Sequence, residues 1–209
     1  MAVVITVAQQ KGGSGKTMLA ANLAAALAPG KTVAVLDIDP QHSLARWHAI
    51  RAARVPEAAK LTFSDVAGWQ LAGELERLRR EHDVVLIDSP PVIDSDARRA
   101  IRGADLVVVP VQPSAPDIWA AEGTLKLAAE EKRPACLVLN RVPPTGRQRE
   151  TTEQDLRARN LVVLPATLGN RAAFSQAFAQ GLGVTEAAPR TLAAAELRAL
   201  LAAILQVIG

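Results

Sequence analysis

The sequence predicts an α/β fold: one three-layer domain over residues 1–209, with a mostly parallel, twisted β-sheet covered by helices on both faces. Three observations carry this expectation. Short apolar runs rich in β-branched residues recur along the chain, stretches of helical periodicity separate them, and the runs are continuous rather than alternating, as strands buried on both faces require. With 209 residues and 49% hydrophobic content, the chain can build a full core, which excludes an intrinsically disordered protein.

The elements follow in order. Val3-Val4-Ile5-Thr6-Val7-Ala8 reads as the first strand, and Lys16 to Ala28, dominated by Ala and Leu, as a helix closed by Pro29-Gly30. Further strands are expected at Thr32 to Leu36, Val84 to Ile87, Leu106 to Val111, Ala135 to Leu139 and Leu161 to Ala166. Helices are expected near 68–81, 116–132, 147–158 and 170–180, with Pro143-Pro144-Thr145-Gly146 as a turn before the third of these. No repeat or low-complexity tract interrupts the pattern, so one domain is expected.

Composition narrows the function classes. The formal charge of +3 and pI near 9.4 come mostly from Arg scattered along the chain (Arg46, Arg51, Arg77, Arg98 and others), which is no nucleic-acid signature by itself. The single Cys136 lies within an apolar run, where an inert buried thiol is expected, and one cysteine permits neither an intrachain disulfide nor a Cys-ligated metal site. The N-terminus enters a strand at once, and no stretch reaches the about 18 apolar residues of a membrane span, so a cytoplasmic protein is expected.

The chemistry-bearing segments each follow directly on a strand, where open parallel sheets bind ligands. After the first comes Lys11-Gly12-Gly13-Ser14-Gly15-Lys16-Thr17. Glycines there let successive N–H groups turn toward a phosphate, the following helix adds its positive end, Lys16 suits the β/γ-phosphates, and Thr17 offers a hydroxyl to Mg²⁺. The run resembles the phosphate loop of P-loop NTPases with one departure: position 10 is Gln rather than Gly, and an extra lysine, Lys11, precedes the glycines. After the second strand, Asp37-Ile38-Asp39-Pro40-Gln41 offers two carboxylates whose period-two spacing turns both the same way, so one or both can face the phosphates; an Asx turn ending the strand is the alternative. Val84 to Ile87 ends in Asp88, which has the form of a Walker B carboxylate for Mg²⁺, or of a plain turn initiator. His42, His48 and His82 have no partners at catalytic or metal-ligand spacing.

The run Lys11 to Thr17 resembles the deviant Walker A motif of the ParA/MinD family of P-loop ATPases. Asp39 to Trp47, with its following helix, and Pro110 to Asp117 resemble the switch and the proline-containing loop of the small partition ATPases that lack an N-terminal DNA-binding extension. The resemblance is specific from residue 2 to about 142 and mainly architectural beyond it. It implies an ATPase that forms an ATP-sandwich homodimer, with ATP and Mg²⁺ as cofactors. Lys11 would reach the partner's nucleotide, Lys16 would bind phosphates, and Asp39 would position the attacking water with Asp37 in support; Thr17 and Asp88 would hold Mg²⁺. Lys11, Gly12, Gly13, Ser14, Gly15, Lys16, Thr17, Met18 and Asn140 would contact nucleotide. Leu139-Asn140-Arg141-Val142 is similar to the family's base-contacting strand end, although an Asn ending a strand also serves as a turn residue.

The same resemblance implies nonspecific DNA binding by the dimer, release by a ParB-like or other small stimulating partner, and a nucleoid-associated cytoplasmic location. Arg171, Arg190 and Arg198 are the candidate DNA contacts, with solvated helix faces as the alternative. A MinD-like membrane-cycling regulator is the second reading. It would use Thr191 to Gly209 as an amphipathic anchor, but that segment lacks a Lys/Arg-rich polar face, so packing on the sheet is expected instead. A metabolic P-loop kinase or ligase is a third reading, disfavoured by Lys11 with Asp39-Pro40-Gln41; a cluster-bridged reductase is excluded by the lone Cys136.

Overall fold

The computed structural model describes residues 1–209 apart from 55–59, 93, 145–147 and 160. Thr145, Gly146 and the first residue of the helix expected at 147–158 therefore lie outside the described residues.

Among the described residues, six strands form one sheet: β1 (Val3–Val7), β2 (Val33–Asp37), β3 (Thr62–Asp65), β4 (Val84–Asp88), β5 (Leu106–Val111) and β6 (Ala135–Leu139). Their order across the sheet is β3-β2-β4-β1-β5-β6 and every pairing is parallel. The strands are apolar at successive positions because each face meets helices. Ile5, Val7, Val35, Leu86, Val108 and Val138 pack on one side against α1 (Lys16–Leu27), α2 (Ser43–Arg54) and α9 (Leu192–Ile208). Val4, Leu36, Val85 and Ile87 meet α3 (Leu71–Glu81) on the other, while Val107, Val109, Leu137 and Leu139 meet α5 (Ala115–Glu130). The α/β, three-layer parallel architecture expected from the sequence is the one observed.

Register brings the loops together. β4 lies between β1 and β2, pairing Val7 with Asp88 and Asp37 with Asp88, so the ends of these three strands sit side by side. The loops after them share one edge of the sheet.

Three elements escape the periodicity. β3 is a four-residue edge strand with one large apolar side chain, Phe63. α4 (Ser95–Gly103) buries only Ala97, Ala100 and Ile101, and it starts because the Asp94 carboxylate accepts from the Asp96 and Ala97 N–H groups. The single turn α8 (Val184–Ala187) follows α7 (Ala172–Phe178). One expectation needs correcting: residues 161–166 form no named strand. They pair with β6 through one bridge, Leu137 to Val163, and the next bond to β6 comes only beyond the run, from the Leu168 N–H to the Leu139 carbonyl. α6 (Gln148–Ala158) and α9 lie where helices are expected, and α9 buries Ala193, Ala194, Leu197, Leu200, Ala203 and Ile204 against the core.

Candidate functional site

The phosphate loop leaves β1 through Gln9, whose side-chain amide donates to the Pro110 carbonyl and whose Oε1 accepts from the Gln10 N–H. Gly13 (φ +78°) and Gly15 (φ +95°) are left-handed, a conformation that favours glycine, and α1 begins at the next residue. No side chain caps that helix and no acidic residue occupies its first turn, so its leading N–H groups and positive end face the loop uncompensated. Lys16 is buried, its ammonium 3.5 Å from the Lys11 carbonyl. Burial lowers its pKa, while Asp88 and then Asp39 oppose the shift.

The two carboxylates after β2 do different work. Asp37 is fully buried, and its oxygens accept from the Asp39 and Ala45 N–H groups, both at 3.0 Å, so it ties the loop to the start of α2. Burial raises its pKa, and those two hydrogen bonds oppose the shift. Asp39 accepts from the Gln41 N–H at 2.9 Å, so the Asx turn and the approach to the phosphate loop belong to one residue. The turn ends at His42, left-handed at φ +50°, whose ring lies 3.1 Å from the Asp65 carboxylate.

Asp88 ends β4 with both carboxylate oxygens buried and without a hydrogen-bond partner. Burial pushes its pKa up to about 8; the nearby Thr17 hydroxyl and Lys16 favour the charged form, whereas Asp37 and Asp39 disfavour it. Two unsatisfied hard oxygens beside a hydroxyl fit Mg²⁺, the donor set that Thr17 and Asp88 are expected to provide.

Lys11 turns the other way. Its ammonium lies 2.5 Å from Asp117, the third residue of α5, which is almost wholly buried and also receives the Ser114 hydroxyl. Asp117 and Gln112, whose amide donates to the Gly13 carbonyl, are site residues that sequence reasoning missed. Both lie in the run Pro110 to Asp117 that resembles the family's proline-containing loop, but that resemblance gave neither residue a role; the Ser-x-x-Asp cap at 114–117 is a further signal.

Beside the loop opens a cavity of about 450 Å³, lined by Gly15, Met18, Asn22, Asn140, Arg171 and Phe174 among others, a size that suits a nucleoside. Met18 and Asn140 are thus brought to one wall with Gly15. Of the expected DNA contacts, Arg171 lines the cavity and is held bidentate by Glu196, at 2.6 and 2.8 Å, so its charge is compensated. Arg198 donates to the Pro189 carbonyl at 2.9 Å, and Arg190 is exposed.

Residues 5–184 match the profile of the CobQ/CobB/MinD/ParA nucleotide binding domain. The maintenance of carboxysome distribution protein A of Halothiobacillus neapolitanus is 28% identical over 201 residues, covering 93% of this chain and 92% of that protein. Protein ParA of Rhizobium radiobacter is 33% identical over 187 residues, covering 85% and 83% respectively. A solved structure of apo McdA from Cyanothece matches over 100% of both chains with a TM-score of 0.81 at 19% identity, a likeness of fold.

Proposed function

The chain belongs to the CobQ/CobB/MinD/ParA nucleotide-binding family, whose ParA/MinD-like members are positioning ATPases, and from that premise we propose that it hydrolyses ATP as a Mg²⁺-dependent positioning ATPase. In this reading ATP closes two copies into a sandwich dimer, the dimer binds DNA nonspecifically, and a ParB-like or other small partner stimulates hydrolysis to release it, so that DNA or another cargo is segregated or spaced. The observation that carries the reading is the convergence of Lys11 to Thr17, Asp39 and Asp88 on one sheet edge beside a nucleoside-sized cavity.

Phosphoryl transfer to water demands positioning and charge neutralisation rather than covalent chemistry. Loop amides and Lys16 bind the triphosphate, whose negative charge raises the Lys16 pKa that burial lowers. Thr17 and Asp88 would hold Mg²⁺, which would neutralise phosphate charge when bound. Asp39, its turn fixed by Asp37, orients the attacking water through the oxygen not engaged by Gln41. Lys11 leaves Asp117 to reach the nucleotide of the partner copy, and Asn140 and Met18 contact the base.

The test is size-exclusion chromatography with light scattering. Wild type and Asp39→Ala should dimerise with Mg-ATP, Lys11→Ala should stay monomeric, and both variants should lose stimulated hydrolysis. A wild type that remains monomeric with ATP would sink the sandwich mechanism. ATP-dependent retardation of arbitrary duplex should weaken steeply between low and physiological salt, and Arg190→Ala with Arg198→Ala should weaken it further. One observation favours the membrane-cycling alternative: Leu192, Leu205 and Val207 of α9 are exposed.

A further inference from the structure

Three carbonyls of the phosphate loop are held by side chains, one from within the loop and two from outside it. The Lys11 carbonyl faces the Lys16 ammonium at 3.5 Å, the Gly13 carbonyl accepts from Gln112 Nε2 at 3.2 Å, and the Ser14 carbonyl accepts from Asn140 Nδ2 at 2.8 Å. Every peptide bond here is trans, and in a trans peptide the C=O and the following N–H point in opposite directions. Fixing the Gly13 and Ser14 carbonyls outward therefore turns the Ser14 and Gly15 N–H groups to the other side of the loop. With glycine on one side of each of these peptides, at 13 and at 15, only Ser14 adds a side-chain barrier against flipping them.

Asn140 is built for this task. Its Oδ1 accepts from the Arg141 N–H at 2.9 Å, which fixes the amide so that Nδ2 faces Ser14. Arg141 is left-handed at φ +52°, and the Asn140 N–H donates to Val111 at the end of β5. The amide is seated so closely that a Cβ on Gly15 would lie 2.5 Å from Nδ2.

We propose that Asn140 and Gln112 are positioning residues of the phosphate loop, aiming the Ser14 and Gly15 amides at the β- and γ-phosphates by holding the carbonyls behind them. The inference rests on the nucleotide-binding reading and deepens it: Asn140 shapes the triphosphate site whichever base occupies the cavity. A residue that only reads the base affects nucleosides; a residue that shapes the loop also affects a triphosphate without a base.

The test is calorimetric titration of wild type, Asn140→Ala and Gln112→Ala with ATP and with inorganic tripolyphosphate, each with Mg²⁺. Asn140→Ala should weaken both ligands about tenfold, and Gln112→Ala should weaken both by about threefold, the scale of one lost hydrogen bond. Gln112 lies on a half-exposed loop, so its variant carries the test if Asn140→Ala fails to fold. Tripolyphosphate affinity unchanged in the folded variants overturns the inference. Failure of the wild type to bind ATP overturns the nucleotide-binding reading itself, and this inference with it.

Discussion

Asp88 stores an electrostatic cost that nucleotide is expected to relieve. Its two oxygens are buried without partners and its pKa is pushed up to about 8 by burial. A carboxyl whose pKa is higher folded than unfolded binds more protons in the native state, so unliganded stability should fall as pH rises from about 4 toward 8. Asp88→Asn removes that charge and should stabilise the unliganded protein at pH 8 by on the order of 1–3 kcal/mol, with little gain at pH 4, while abolishing Mg²⁺-dependent hydrolysis. Thermal melts across that pH range check the sign; a destabilised variant at pH 8 would show that the carboxylate is satisfied. Asp117 is the opposite case, a buried carboxylate that already has its cation. Lys11→Met should cost about 1–2 kcal/mol in denaturant melts, discounted because Lys11 is 39% exposed, and adding Asp117→Asn should recover most of it. Lys11, Lys16, Asp39 and Asp88 were legible in the sequence because each follows a strand in a spaced motif. Asp117 and Gln112 lie in a run the resemblance pointed to, but their roles were not legible, since their partners Lys11 and Gly13 lie about a hundred residues away and only folding joins them.

At the scale of elements, the loop carrying Asp39 is anchored through α2 to the turn between α7 and α8. Arg51 of α2 is buried, bonded bidentate to Glu186 at 2.7 and 2.8 Å and to the Gly181 carbonyl at 3.1 Å, and its guanidinium lies 5.5 Å from the Trp47 ring centroid. Gly181 is left-handed at φ +75°, and a Cβ there would lie 2.4 Å from the Arg51 backbone nitrogen. Gly181→Ala should therefore destabilise the fold by about 2–4 kcal/mol in chemical denaturation, since both the backbone angle and the contact resist it. A change under 0.5 kcal/mol would mean that α2 and this turn are not held together. The strands of the sheet centre were readable because burial on both faces writes them as continuous apolar runs. The edge strand β3 and the short α4 were not, because a half-exposed edge needs few apolar residues and α4 is nine residues long with a stripe built mostly of alanine, at Ala97, Ala100 and Ile101. The run at 161–166 has the composition of a strand, yet it bonds to β6 only at Leu137, and bonding resumes at Leu168, past the run's end.

At the scale of the whole molecule, α9 separates the DNA reading from the membrane reading, because it is the segment a membrane anchor would have to use. Its inner face is core: Leu197, Leu200 and Ile204 are fully buried with the sheet and α1. Its outer face leaves Leu192, Leu205 and Val207 exposed, and among the described residues no helix is long and apolar enough to cross a membrane. An anchor that must leave the core to enter lipid would forfeit that inner burial, worth about 1.5–3 kcal/mol per large side chain, and its polar side offers anionic lipid little beyond Arg198. α9 should therefore act as a structural element. Leu200→Asp should prevent folding, whereas Leu205→Glu with Val207→Glu should shift stability by less than about 0.5 kcal/mol and leave ATP-dependent DNA retardation intact. Cosedimentation with anionic liposomes, with and without Mg-ATP, supplies the opposing outcome. ATP-dependent liposome binding by the wild type that is lost in the double glutamate variant, with no DNA retardation by either, would assign the outer face of α9 to a membrane and replace the DNA reading.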